Sequence, residues 1–196
     1  MNIRIILLCI AFLSIPSQVV NSADDERTVM IENLVKGDLL VGDNEVIYQH
    51  LPELRAELNA RPSASPQQVN SILVESGVEL IETKGKYVLF KIPALQPALL
   101  RGRGKSKSYA VVLNKRTKEF GILTGLQIVT LLDMANAKKI ANDYGIGIVT
   151  EFSHLRTVFF QIGLGTNIAN LTNKLKLDPR VENTYPEIIE HFVMPL

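Results

Sequence analysis

"NDYGIGIVTEFSHLRTVFFQI", Asn142 to Ile162, decides the fold. It opens in the last turn of a helical pattern, breaks at Gly145, and continues as two short runs, GIVTEF and TVFFQI. Their β-branched and aromatic residues suit a pleated, half-buried surface, and Ser153-His154-Leu155-Arg156 between them predicts a hairpin turn. Phe159 and Phe160 are adjacent, so on a strand they face opposite sides. One belongs to a core, and the other is left to line a contact surface.

Upstream, Asp133 caps DMANAKKIANDYG, in which Met134, Ala137, Ile140, Ala141 and Tyr144 share one helical face and Gly145 closes the element. Leu126 to Leu132 supplies a strand entering that helix. Downstream, TNIANLTNKLKL reads as a helix capped by Thr166 or Asn167, with Ile168, Leu171 and Leu175 on one face. It stops near Asp178-Pro179, and Val181 to Tyr185 runs on as a strand. From Gly125 the order is strand, helix, strand, strand, helix, strand, which predicts an α+β chain with a ferredoxin-like βαββαβ domain over residues 125–187.

The region before it predicts an N-terminal α+β extension. Thr28 to Val41 reads as short extended pieces around Lys36-Gly37-Asp38, and His50 to Asn59 (HLPELRAELN) as a helix with Pro52 in its first turn. ARPSASPQ marks a break. A helix from Ser65 to Gly77 follows, with Pro66 at its first position and Gln68 completing a capping box. Val78 to Glu82 and Tyr87 to Ile92 form a hairpin turned at Lys84-Gly85, and YAVVLNKRTKEFGILTG a second one turned at Asn114 to Lys118. The helices Ser65 to Gly77 and Asp133 to Gly145 each lead into a strand, a turn and an aromatic strand, so a duplication is one reading and a recurrent helix-hairpin unit the other.

Met1 to Arg4, the apolar run Ile5 to Ile15 and the small residues before Asp24 describe a cleaved secretory signal, residues 1–23, too short to span a bilayer. The expected location is secreted or periplasmic, in a Gram-negative bacterium, with no membrane anchor once the signal is removed. Cys9 is the only cysteine and lies in that run, so the mature chain has no disulfide. Removing Arg4 balances the charges, which gives no reason to invoke nucleic acid. The expected organisation beyond the signal is an extension over 24–64, a helix-hairpin region over 65–124, the βαββαβ domain over 125–187 and a tail over 188–196.

Catalytic signatures are missing from the sequence. Gly102 to Ser106 (GRGKS) lacks the glycine that a phosphate loop needs at Leu99, and reads as a solvated basic loop. His50, His154 and His191 are far apart and without metal-ligand spacing, and neither HExxH nor G-x-S-x-G occurs. The reading is therefore a binding protein with no metal or cofactor. Its odd feature is the apolar ending, Ile188, Ile189, Phe192, Val193, Met194, Pro195 and Leu196, broken only by Glu190 and His191. It suits either a terminus docked on its own core or an extended peptide that adds to a partner's strand.

"LDPRVENTYPEI", Leu177 to Ile188, preceded by NIANLTNKLK and by the stretch quoted at the outset, resembles the end of the propeptide-type inhibitor domains of subtilisin-like serine proteases. With a signal peptide and no protease domain following, the chain is similar to the free-standing external chaperones of secreted subtilisin- or kexin-like proteases. The resemblance covers Gly125 to Glu187. It implies a sheet packed on two surface helices of the protease, a tail entering the cleft (Ile188, Glu190, His191, Phe192, Val193, Met194, Pro195 and Leu196), and carboxylates capping the protease helices. Glu187 matches one such position. Tyr185 stands at the other, which leaves Glu182 or Glu151 to replace it. The rival reading is a periplasmic adaptor with no protease partner.

Overall fold

The computed structural model describes residues 22–58, 78–92, 108–163 and 165–191. Helix α1 (Ser22–Asn33) lies in one compact unit, and everything from Leu34 onward belongs to a second. The second unit is mostly antiparallel sheet. Its described strands are β1 (Leu39–Val41), β2 (Ile47–Leu58), β3 (Glu79–Lys84), β4 (Tyr87–Lys91), β5 (Ser108–Asn114), β6 (Phe120–Leu131), β7 (Gly147–Phe152), β8 (Thr157–Gln161) and β9 (Val181–Ile189). Its described α-helices are α2 (Ala137–Tyr144) and α3 (Ile168–Lys176).

β6 organises the sheet. Phe120 to Leu123 pair with β5, and Leu126 to Thr130 pair with β8. Ile122 and Val129 each have a second partner in β9, so β9 runs along the other edge of both halves. Between the halves stands Gly125 with φ +83°, a left-handed conformation that costs glycine little and any other residue more. Its carbonyl accepts from the Ile162 N–H at 2.9 Å and from Gln161 Nε2 at 2.8 Å, which pins the bend. The boundary expected at 124–125 thus falls inside a strand.

In the first half the strands run β3-β4-β2-β5-β6. The sheet curls far enough for Lys84 Nζ on β3 to donate to the Phe120 carbonyl at 2.7 Å and pair with Glu119 at 3.0 Å. Leu51, Leu54, Ala56, Leu89, Val111, Phe120 and Ile122 share its inner face, all without solvent exposure.

The helix expected over His50 to Asn59 is strand β2 as far as Leu58, the last described residue of that stretch. Leu51 pairs with Val111, yet Arg55 pairs with the next residue, Ala110, so Pro52 to Leu54 form a bulge. Proline has no ladder N–H to give and is tolerated there. The Arg55 guanidinium, through one Nη, donates to the carbonyls of Pro52 (3.0 Å) and Leu54 (2.7 Å). The bulge returns Leu54 to the face of Leu51, and this produces the helix-like spacing. Thr28 to Asn33, expected to be extended, are helical in α1, whose first turn carries the acidic residues that favour a helix N-terminus. The Ser65 to Gly77 helix, the ARPSASPQ break, the basic loop over 101–107 and tail residues Phe192 to Leu196 lie outside the described residues. Both hairpins form, the second where the sequence puts it and the first turned at Gly85-Lys86, one residue later than expected, because Lys84 still pairs with Tyr87.

In the second half the pairings give the order β9-β6-β8-β7. α2 and α3 share one core with the sheet, built on Val129, Leu131, Ile140, Val158, Phe160 and Leu175. Asp133 accepts from the Ala135 N–H at 2.9 Å to start the short 3-10 turn that leads into α2. Of the two candidate caps of α3, Asn167 serves, accepting from the Asn170 N–H at 2.8 Å.

Candidate protein-binding surface

The motif behind the resemblance is first a structural clasp. Asp178, just past α3, accepts from the Arg180 guanidinium at 2.9 and 2.6 Å and from the Tyr144 hydroxyl at 3.0 Å. Arg180 also reaches Asp143 at 2.7 Å. The fork of charge-assisted bonds from Arg180 holds the Asp178 carboxyl well below the usual carboxylate range. Burial, and after it the bond to Asp178, pushes the Tyr144 phenol up. Helix α2, the end of α3 and the start of β9 are thereby tied together.

A buried polar network then fixes which side of β9 faces out. Gln127 Nε2 donates to Thr184 Oγ1 at 2.7 Å, Thr172 Oγ1 of α3 donates to Gln127 Oε1 at 3.3 Å, and Thr184 Oγ1 donates to the Ile128 carbonyl at 3.0 Å. A one-residue slip of β9 would turn Thr184 outward and break all the contacts it makes here.

With Gln127, Val129, Val158, Phe160 and Thr184 on the helix side, strand alternation puts the intervening residues on the other face. Cross-strand pairing lines up Thr150, Phe159, Ile128 and Tyr185 in one row, and Phe152, Thr157, Thr130 and Asn183 in the next. Phe152 and Phe159 meet edge to face at 5.4 Å. Phe152, Phe159, Ile128 and Tyr185 all keep part of their surface in solvent, and neither row carries a charged side chain. Burial, and next the carboxylate of Asp43, raises the Tyr185 phenol, so this side chain is neutral at physiological pH.

The sequence-derived site residues divide. Tyr185 lies on this face, with Glu187 at its margin on the same side of β9, close enough to contribute to raising the Tyr87 phenol after burial and Tyr109. Glu151 is exposed and stands opposite Val158, on the helix side. Glu182 is exposed and paired with Arg156 at 2.9 Å. Ile188 and Ile189 are the last paired residues of β9, opposite Leu123 and Ile122. Ile188 packs on Leu40, Tyr48, Val112 and Leu123, and Glu190 Oε1 accepts from Asn114 Nδ2 at 2.9 Å. His191 is exposed, and Phe192, Val193, Met194, Pro195 and Leu196 are beyond the described residues.

Sequence reasoning missed Ile128 as a surface residue, although the adjacency of Phe159 and Phe160 signals such a face. It also missed the seat of Ile188 and Glu190, whose parts lie too far apart in the chain to leave a local pattern. A polar groove of about 330 Å³ between α2 and α3, lined by Asp143, Tyr144, Asn167, Asn170 and Lys174, is on the opposite side. No group of residues that could hold a metal ion occurs among the described residues, and no described helix is long and apolar enough to cross a membrane.

A family model described as the open reading frame 2 N-terminal domain matches residues 94–194. One chain of the crystal structure of the Aeromonas sobria serine protease (ASP) and chaperone (ORF2) complex is similar at 20% identity, over 46% of this chain and 93% of that one, with a TM-score of 0.38. Among curated proteins no relative matches.

Proposed function

The chain belongs to the open reading frame 2 N-terminal domain family, and from that premise we propose that it is an intermolecular chaperone and inhibitor of a secreted subtilisin-like serine protease. The chaperone of the Aeromonas sobria complex carries the same designation, ORF2. We extend that role to this chain, together with the secreted or periplasmic location that its apolar N-terminal run suggests.

The observation that carries the reading is the side of β9-β6-β8-β7 that neither described helix covers. That strand order, with both helices on one side, is the order of a ferredoxin-like βαββαβ domain, which we take this region to be. Its free face holds aromatic and aliphatic side chains and no charge in its central rows, the composition of an interface core. Docking this face on the protease leaves β9 pointing toward the cleft, with the chain past His191 entering as an extended strand.

The mechanism follows from linkage. A partner that binds the nearly folded protease and not the unfolded chain stabilises the former in proportion to its occupancy. If the same contacts exist in the late transition state, folding is also faster. Remaining bound afterwards blocks the cleft. The test is to refold the denatured secreted protease of the same organism with the full chain present: active-site titration recovers folded enzyme that stays inhibited until the complex is dissociated. No rise in recovered protease, with no inhibition, would refute the reading.

A further inference from the structure

The end of β9 sits in a built seat. Tyr48 and Asn114 are cross-strand partners on β2 and β5. Asn114 is buried, and its Oδ1 accepts from the Arg116 and Thr117 N–H groups of the β5–β6 turn at 2.9 and 3.2 Å. The amide therefore has one orientation open to it, with Nδ2 turned away from the turn, and Nδ2 meets Glu190 Oε1 at 2.9 Å. Tyr48 belongs to the cluster on which Ile188 packs, and burial, followed by the nearby Glu190 charge, pushes its phenol up to about 12. Gly121 forms the floor. A Cβ there would lie 2.6 Å from Ile188 Cγ2, 3.1 Å from Val112 Cγ2 and 3.3 Å from Glu190 Cγ, so the close approach of β9 requires glycine.

We propose that Tyr48, Asn114 and Gly121 form a clasp on Ile188 and Glu190 that sets where and in which direction the chain leaves the sheet. A strand end at a sheet edge frays readily, and a peptide presented to a cleft binds better when its stem is already ordered. The clasp supplies that order from the first half of the sheet, while the docking face belongs to the second. Its use at a protease cleft rests on the function proposed above. The clasp itself does not.

Two readouts keep the claims apart. The full chain is digested with carboxypeptidase Y and its end point read by mass spectrometry. Trimming of the unaltered chain stalls at Glu190, whereas Glu190→Ala and Asn114→Ala lose Ile189 and Ile188 at least tenfold faster. Glu190→Ala leaves the Asn114 turn intact, so an unchanged circular dichroism spectrum separates a loosened strand end from a failure to fold. The same rate and end point in Glu190→Ala as in the unaltered chain would overturn the clasp. Against the protease, Glu190→Ala weakens inhibition about tenfold while capture through the open face persists. Faster trimming without any inhibition, even by the unaltered chain, supports the clasp and removes the protease reading. Inhibition with unchanged trimming does the reverse.

Discussion

The two halves of β6 serve differently built regions. Phe120 to Leu123 close a curled sheet whose apolar side chains are sealed inside it, with fully buried Leu51, Leu89 and Val111 among them. Leu126 to Thr130 belong to a region in which α2 and α3 cover one face and leave the other with solvent-accessible aromatic residues. The contrast is one of burial: the first region seals its apolar side chains, and the second keeps part of them in solvent, as the proposed docking requires. β9 connects them, since Val181 to Pro186 pair on the second half and Ile188 and Ile189 on the first.

The sharpest test of that contrast uses adjacent residues. Phe160→Ala empties the helix-covered core and is expected to cost about 3–5 kcal/mol of stability, whereas Phe159→Ala should stay within about 1 kcal/mol and weaken partner capture instead. Urea denaturation and a binding assay on the two variants check this, and equal stability losses would erase the distinction between faces. Leu89→Ala, in the sealed interior of the first half, is expected to cost about 2–5 kcal/mol. Because the halves share β6, it should shift one unfolding transition monitored by fluorescence and circular dichroism. Two separate transitions would show that the regions fold independently.

Asp178→Asn weakens the clasp peculiar to the second half and should cost about 2 kcal/mol. The pH dependence has a definite sign. The folded carboxyl titrates below its ordinary value near ~4, so its contribution is present above that value and is lost as the pH falls toward the depressed one. Urea midpoints should therefore decline on acidification in the native chain and decline less in Asp178→Asn. The smallest effect is expected for Arg156→Ala, which frees Glu182 from an exposed ion pair. It should change stability by less than ~1 kcal/mol and respond to salt.

The same contrast explains what was legible in the sequence. The second half declares itself through local signals: Asp133 and Asn167 as caps, Gly145 as a stop, and the Phe159-Phe160 step that assigns two faces. Each acts within a few residues. The first half depends on non-local pairing, and the bulge at Pro52 copies a helical spacing into β2, so HLPELRAELN reads as the wrong element. α1 is illegible for a different reason, since its apolar residues show no helical stripe. Of the candidate site, the resemblance singles out Tyr185, which pairs with Ile128, whereas Ile128 itself reads as ordinary core. Glu190 was singled out as a tail residue, whereas Asn114, which holds it, is distant in sequence and looks like any turn asparagine.

The most direct measurement is refolding of the denatured secreted protease in the presence of this chain or of its Phe159→Asp variant, scored by titrated active sites and by complex formation on a sizing column. The native chain is expected to give a stable one-to-one complex and recovered enzyme, and the variant, still folded by circular dichroism, to lose both by at least tenfold. Equal recovery and equal complex formation with the two proteins would contradict the claim that the open face of the second half is the surface this protein presents to its partner.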